Sequence, residues 1–286
     1  MSHTGGLVIL KEMVSSLPPS ERKIADYILN NPEESILLTA LSLGEKSQTS
    51  SAAVIRLCKS LGLSGFQELK IRVAGDLRVE SVDDHRDIEP NEEYRSIIDK
   101  VTSNTIQTVK ETVDIMSEQN LEKAVSALTN AKSIIFIGFG ASYIAARDAE
   151  QKFMRINKNV FSFSDVHMAA TSIANKGPGD VVVGISFSGN TQEAAKLLEL
   201  AHNKNTTTIS ITKYGNSLVS PFSDIQLHTS AAKEATFRSG ATSSRIAQLH
   251  VIDILFMSLA SIEYDETIMH LDKTRDAIAF LADRKA

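Results

Sequence analysis

The sequence contains a single cysteine, Cys58, and no tryptophan. One thiol excludes an internal disulfide and any zinc site built from several cysteines. No H-E-x-x-H occurs, and His85, His167 and His202 fall at no metal-ligand spacing, so no metal site is expected. No apolar run approaches the roughly 18 residues that a bilayer-spanning helix needs. The opening MSHTGGLVILKEMV lacks a basic stretch and a small-residue cleavage site, so it does not read as a secretory signal. These absences lead to the expectation of a cytoplasmic protein with no membrane partner. Positive charge is also in deficit, with 30 Lys and Arg against 35 Asp and Glu and a net charge of −5. That balance ordinarily argues against nucleic acid as a partner. What is present suits a full core: 42% hydrophobic and 23% charged residues. The length allows one large domain or two ordinary ones, at roughly 150 residues each.

The charge is unevenly spread. Between residues 46 and 80, Lys46, Arg56, Lys59, Lys70, Arg72 and Arg78 face only Glu68 and Asp76, leaving Glu80 aside. VESVDDHRDIEPNEEY comes next and is mostly acidic. A local basic segment in an acidic chain is compatible either with DNA binding by a small module or with an ordinary solvated face. Residues 1–78 read as all helix, with Ser20 placed to cap ERKIADYILNN and Asn30-Asn31-Pro32 to end it. Further helical pieces run through SILLTALSLGEK, SSAAVIRLCKSLG and FQELKIRVAGDL. The polar segment 79–92, broken by Pro90, reads as a linker. Residues 93–118 and LEKAVSALTNA read as helices. After residue 132 strands and helices alternate: SIIFIG, NVFSFS, DVVVGIS, TTTISIT and DIQLHTS, the first four separated by helical stretches. That alternation predicts an α/β part, residues 93–286, with a parallel sheet flanked by helices.

TALSLGEKSQTSSAAVIRLCKSLGL has the features of a helix-turn-helix. Gly44 is small where a second helix must pack close, Ser50 is placed to cap that helix, and Val54, Leu57, Cys58 and Leu61 form its buried stripe. The same wheel turns Ser51, Ala52, Arg56 and Lys59 outward, where small residues could meet base edges and cations could meet phosphates. A helical hairpin that merely packs would show the same stripe. Cys58 lies on it and reads as a core residue.

Two loops follow strands in the α/β part. GFGAS carries Gly138, Gly140 and Ser142, but Tyr143 stands where a dinucleotide fingerprint has its third glycine, so no nicotinamide cofactor is expected. ISFSGNT carries Ser186, Ser188, Gly189, Asn190 and Thr191 at the start of a helix. Unpaired helix N–H groups, a glycine and neutral hydroxyls suit a phosphate without requiring lysine. Each serine could instead cap its own helix. Two such loops on βα units favour a ligand carrying a phosphate and a polyol, a sugar phosphate.

On these residues the chain resembles the RpiR-type bacterial transcription regulators, which join a helix-turn-helix to a SIS (sugar isomerase) domain. SSAAVIRLCKSLGLSGFQELK is similar to the family's recognition-helix signature, from the helix through the Gly-Phe and Glu-Leu-Lys beyond it. GFGAS and ISFSGNT are similar to its two sugar-phosphate loops, and FRSGATSSRIAQL to the stretch before its long C-terminal helix. Gln48 and Thr49 depart from the family's usual turn. The resemblance implies that Ser142, Ser186, Ser188, Gly189, Asn190, Thr191 and Glu234 hold a sugar phosphate. It implies that Ser50, Ser51, Ala52, Arg56 and Lys59 meet double-stranded operator DNA, that the protein is a homo-dimer or homo-tetramer, and that it acts as a repressor without catalytic residues. The opening GGLVIL…LPPSERKIADYIL and the recognition helix are most similar to regulators of N-acetylmuramic acid 6-phosphate use, with glucosamine or N-acetylglucosamine 6-phosphate as other candidates. Two rivals stay open. A sugar-phosphate isomerase or lyase would need a base, for which Glu234, His228 and His250 are the candidates. A sugar sensor could use its N-terminal module to bind another protein.

Overall fold

In a computed structural model, which describes residues 5–77, 91–230 and 241–282, helices fill the described chain up to Ile115 and the first strand begins at Ser133. By its contacts the chain divides into two units. The first comprises Met1–Ser117 with Lys213–Gly215 and His228–Ser244; the second comprises Glu118–Thr212 with Asn216–Leu227 and Arg245–Ala286.

The first unit holds α1 (Gly6–Met13), α2 (Pro19–Asn30), α3 (Pro32–Ser35), α4 (Ala40–Lys46), α5 (Ser51–Ser60), α6 (Phe66–Asp76) and α7 (Tyr94–Ile115). α2 begins before the expected cap Ser20. Pro19 takes the first turn, where its fixed φ suits a helix and its missing N–H costs nothing, and Pro18 makes no side-chain capping bond. Residues 35–46, expected as one helical piece, are interrupted at Thr39, whose hydroxyl accepts from Ser42 N–H and starts α4 afresh. The N-terminus of α1 is capped from across the unit: the Asp76 carboxylate accepts from Gly5 and Leu7 N–H at 2.6 and 2.7 Å. Burial holds that carboxyl above its usual range, against the pull of those two bonds. Leu10, Ile24, Leu43, Leu57 and Leu69 close one apolar core beneath the helices.

The turn between α4 and α5 is tight. A Cβ at Gly44 would lie 2.8 Å from the Ser50 carbonyl carbon, so only glycine lets the backbones approach. Ser50 caps α5 by accepting from Ala53 N–H at 3.2 Å. Val54, Leu57, Cys58 and Leu61 are fully buried, and burial pushes the Cys58 thiol up to about 11, as a core residue requires. Gln48 adopts φ 54, the left-handed conformation that glycine occupies at no steric cost.

The second unit opens with α8 (Glu118–Thr129) and continues β1 (Ser133–Gly138), α9 (Ala141–Arg155), β2 (Val160–Phe163), α10 (Val166–Ala174), β3 (Asp180–Ile185), α11 (Gln192–Asn203), β4 (Thr207–Lys213) and β5 (Ile225–Thr229). Two helices, α12 (Thr242–Ile262) and α13 (Tyr264–Ala282), complete it. The sheet order is β2-β1-β3-β4-β5, and the pairs β1–β2, β1–β3 and β3–β4 are parallel. Side chains alternate across β1 as the pleat demands. Ile135 and Ile137 pack with Ala169 and Ile173 of α10 and Leu198 of α11. Phe136 meets Phe153 of α9, which in turn meets Phe256 of α12, at ring separations of 5.6 and 5.9 Å. Both faces are therefore covered, and every residue of β1 is buried.

α12 is long and apolar enough to cross a membrane by length and composition alone. Its Ala247, Val251, Ile252, Leu255 and Leu259 are buried, and its Asp253 pairs with Lys152 at 2.7 Å, so the helix belongs to the unit's core.

Gln48→Gly is expected to raise stability by up to ~1 kcal/mol, relief of the left-handed strain outweighing glycine's chain entropy. Gln48→Val should lower it by about 1–3 kcal/mol, because a β-branched residue resists that conformation. Gly44→Ala should cost about 1–3 kcal/mol by forcing α4 and α5 apart. Denaturant unfolding of the three variants reads all of these, and an undiminished Gly44→Ala protein would contradict the close approach.

Candidate functional site

One face of α5 is free of the core. Ser50, Ala52, Ile55, Arg56 and Lys59 are exposed and Ser51 is half-buried, while the opposite stripe is sealed. The five residues proposed from sequence to meet DNA thus lie on the turn and the outer face of one helix. Arg56 has a neighbour that sequence spacing did not reveal: Glu21 of α2, buried, with its carboxylate 3.9 Å from the guanidinium. Ser60 donates to the same carboxylate at 2.7 Å, so α5 is tied to α2 through one anionic group. Beside the helix start lies a cleft of about 400 Å³ lined by Pro19, Ser20, Lys23, Gln48, Thr49, Ser50, Ala53 and Arg56. Ser20 and Lys23 were not foreseen there, since they sit on α2, distant in sequence.

In the second unit, β1 and β3 are neighbours and their registers end together, with Gly138 opposite Ile185. The loops that leave them, GFGAS and SFSGNT, therefore depart from the sheet side by side. The order β2-β1-β3-β4-β5 reverses direction between those two strands, and open α/β sheets bind ligands beyond the carboxyl ends at such a switch point.

The loops are not simple helix caps. Thr191 stands at the N-cap of α11 but makes no side-chain capping bond; its hydroxyl pairs with Ser186 Oγ at 2.9 Å. The first N–H groups of α11 therefore keep their positive end open. Ser142 lies within the first turn of α9, buried, and its hydroxyl oxygen accepts from Gln248 Nε2 of α12 at 3.1 Å. Ser188 Oγ accepts from Asn190 N–H at 3.2 Å, folding the tip of the loop on itself. Gly189 has φ +67, and a Cβ there would lie 2.4 Å from the Ser217 side chain, so no other residue fits without displacement. Asn190 is spent on structure: its Oδ1 accepts from Leu218 N–H at 3.1 Å.

Neither GFGAS nor SFSGNT contains a lysine or arginine, so the donors they offer are hydroxyls, the Asn190 side-chain amide and backbone N–H groups. Glu234 lies outside the described residues. His228 is half-buried with its ring 4.8 Å from that of Tyr214, and His250 is half-buried on α12. Among the described residues no group of three or more His, Cys, Asp or Glu could hold a metal ion. Sequence reasoning missed Ser217 and Gln248. Ser217 falls in YGNSLVSPF, an irregular stretch with no periodicity to mark it, and Gln248 is hidden in the apolar run of α12.

Comparison with known proteins agrees with both halves. Residues 4–80 match the helix-turn-helix domain of the rpiR family, and residues 127–258 match the SIS domain. The chain is 50% identical over 275 residues to the uncharacterized HTH-type transcriptional regulator YbbH of Bacillus subtilis, covering 96% of this chain and 97% of that one. A further uncharacterized regulator, from Caldanaerobacter subterraneus, is 41% identical over 276 residues, 96% of this chain and 98% of its own. Among solved structures, the Vibrio vulnificus NanR protein complexed with ManNAc-6P superposes with a TM-score of 0.62 and 28% identity, over 96% of this chain and 98% of that one. The sugar isomerase domain of an RpiR transcription factor from Sphaerobacter thermophilus, 18% identical with a TM-score of 0.58 over 63% of this chain and 99% of its own, shows the shared fold. Half of its residues shared with an HTH-type regulator over nearly the full length of both place this chain in the RpiR family of DNA-binding transcriptional regulators.

Proposed function

We propose that this regulator is a repressor of sugar or amino-sugar catabolism. Residues 1–78 bind operator DNA, 79–92 link, and 93–286 read a sugar phosphate that controls DNA binding. The observation that carries the effector half is the Thr191 hydroxyl, turned to Ser186 and away from its own helix, which leaves an open helix N-terminus framed by neutral donors. Ser142, Ser186, Ser188 and Thr191 supply hydroxyls to the ligand, with Gly189 and Asn190 lending backbone; Glu234 is assigned to the sugar end. Support for an amino-sugar 6-phosphate comes from the NanR likeness. Among such effectors N-acetylmuramic acid 6-phosphate is favoured by the resemblance of the N-terminal segment, with N-acetylmannosamine, N-acetylglucosamine and glucosamine 6-phosphates next. The ligand acts as a signal and no catalytic role is assigned.

On the DNA side, Ser50, Ser51 and Ala52 face base edges, while Arg56 and Lys59 face phosphates. A protein of this kind works on chromosomal DNA, hence in the cytoplasm. A homo-dimer or homo-tetramer is the assembly, two-fold related half-sites being the usual partner of a symmetric regulator. Exposed apolar side chains on the last two helices, Met257, Ile262, Tyr264, Ile268, Met269, Ile278, Phe280 and Leu281, supply surface for it.

Binding to a duplex selected by the protein from a random pool should weaken steeply with salt, by a slope of about −0.9 per phosphate neutralised. Arg56→Ala and Lys59→Ala should each flatten that slope by about one unit, and unchanged slopes in both would remove this face from the interface. In a thermal-shift panel of sugar phosphates, one 6-phosphate at ~100 times its Kd should stabilise the protein by ~2.7 kcal/mol. Folded Ser186→Ala and Ser188→Ala variants should lose the shift; a panel without any shift rejects the sugar-phosphate reading.

A further inference from the structure

Gln248 is 1% exposed on a helix whose neighbouring positions Ala247, Val251, Ile252 and Leu255 are fully buried and apolar. An amide in such a place costs free energy unless its polar atoms are engaged. Its engagement is with Ser142, which is itself 8% exposed and stands at the start of α9 in the loop after β1. The direction of that bond matters. The amide N–H donates, so the Ser142 oxygen is an acceptor toward α12, and the hydroxyl hydrogen must lie away from Gln248. Ser142 does not use its side chain on the helix start, where the backbone bonds run from Ser142 N–H to Phe139 O and from Tyr143 N–H to Gly140 O.

We propose that Gln248 is a positioning and specificity-determining residue for the effector: it fixes Ser142 as a hydrogen-bond donor, so that this corner of the site accepts a ligand oxygen bearing lone pairs. The inference rests on the sugar-phosphate reading above and deepens it. The ligand atom opposite Ser142 is an acceptor, a phosphate oxygen or the carbonyl of an N-acyl group, and a bare donor such as an ammonium is disfavoured there. Reversing the amide's role reverses the serine's. A carboxylate at 248 would accept the Ser142 hydrogen and leave only lone pairs facing the ligand.

The test is calorimetric titration of the full-length protein with N-acetylmuramic, N-acetylmannosamine and N-acetylglucosamine 6-phosphates and inorganic phosphate, carried forward with the compound that binds wild type best. Ser142→Ala and Gln248→Leu should each weaken binding about tenfold, the scale of one hydrogen bond in a closed site. The double variant should lose no more than either single one, since both changes remove the same donor. Gln248→Glu, nearly isosteric with wild type, should weaken binding most at pH 8. Its gap to wild type should narrow toward pH 5.5, as protonation gives the carboxyl a hydrogen to donate. Wild-type affinity in Gln248→Leu, additive losses in the double variant, or a Gln248→Glu gap indifferent to pH would each overturn the proposal. If Gln248→Leu does not fold, the pH profile of Gln248→Glu decides alone. A wild-type protein that binds no compound of the panel overturns the sugar-phosphate reading first and this inference with it. Binding by wild type with unaffected variants overturns this inference only.

Discussion

The parallel pairing of β1 with β3 is the constraint on which the second unit's chemistry depends. Loops separated by more than forty residues in sequence emerge together only because Gly138 ends opposite Ile185. Either loop alone would be an ordinary strand-to-helix connection with a serine near the helix start. Their adjacency at the reversal of strand order places the first turns of α9 and α11 at one end of the sheet, where open α/β sheets bind ligands. The apolar layers on both faces hold that geometry: β1 is wholly buried, so the strand ends cannot shift independently of the core.

A comparable economy governs the first unit, where one buried carboxylate holds α5, the helix proposed to face DNA. Glu21 accepts from Ser60 and lies near Arg56, joining the C-terminal half of α5 to α2. A buried carboxylate costs desolvation, which those partners offset. For Arg56 the effect has two signs. Glu21 competes with any phosphate for the guanidinium, yet it also restrains a flexible side chain beside the cleft that holds Lys23, so less entropy is lost on contact. The half-exposed position of Arg56 lets it keep Glu21 and still present a charge outward.

How much of this was legible in the sequence depends on the range of each interaction. Local periodicity placed the strands to within a residue or so. Local chemistry placed Gly44, the Ser50 cap and the Val54-Leu57-Cys58-Leu61 stripe. It misjudged the start of α2, where a proline at the first turn displaced the expected serine cap, and the break at Thr39, where capping outcompeted continuation. The partners that define the sites escaped altogether. Asp76 caps a helix some seventy residues away, Gln248 meets Ser142 across a span of 106 residues, and Ser217 reaches Gly189 from an irregular loop. No spacing rule records such pairs, because only the packed sheet and helices bring them together.

On the proposed reading, the hydroxyl pairing suits a site that receives a signal. Ser186 and Thr191 pair with each other, and either can be the donor. On the proposed reading, a phosphate claims both hydrogens, so the bond between the two side chains is given up as the bonds to ligand form. The net gain per hydroxyl is then small, since one hydrogen bond replaces another. What the exchange does supply is a difference between two states of the loop, Ser186 and Thr191 joined to each other or both joined to ligand. A ligand shifts an equilibrium only by its differential affinity for two states. A pair of hydroxyls that must part to receive the phosphate provides such a difference at the point of binding, and the Asn190 and Gly189 contacts to residues 217–219 are where the second unit would first register it.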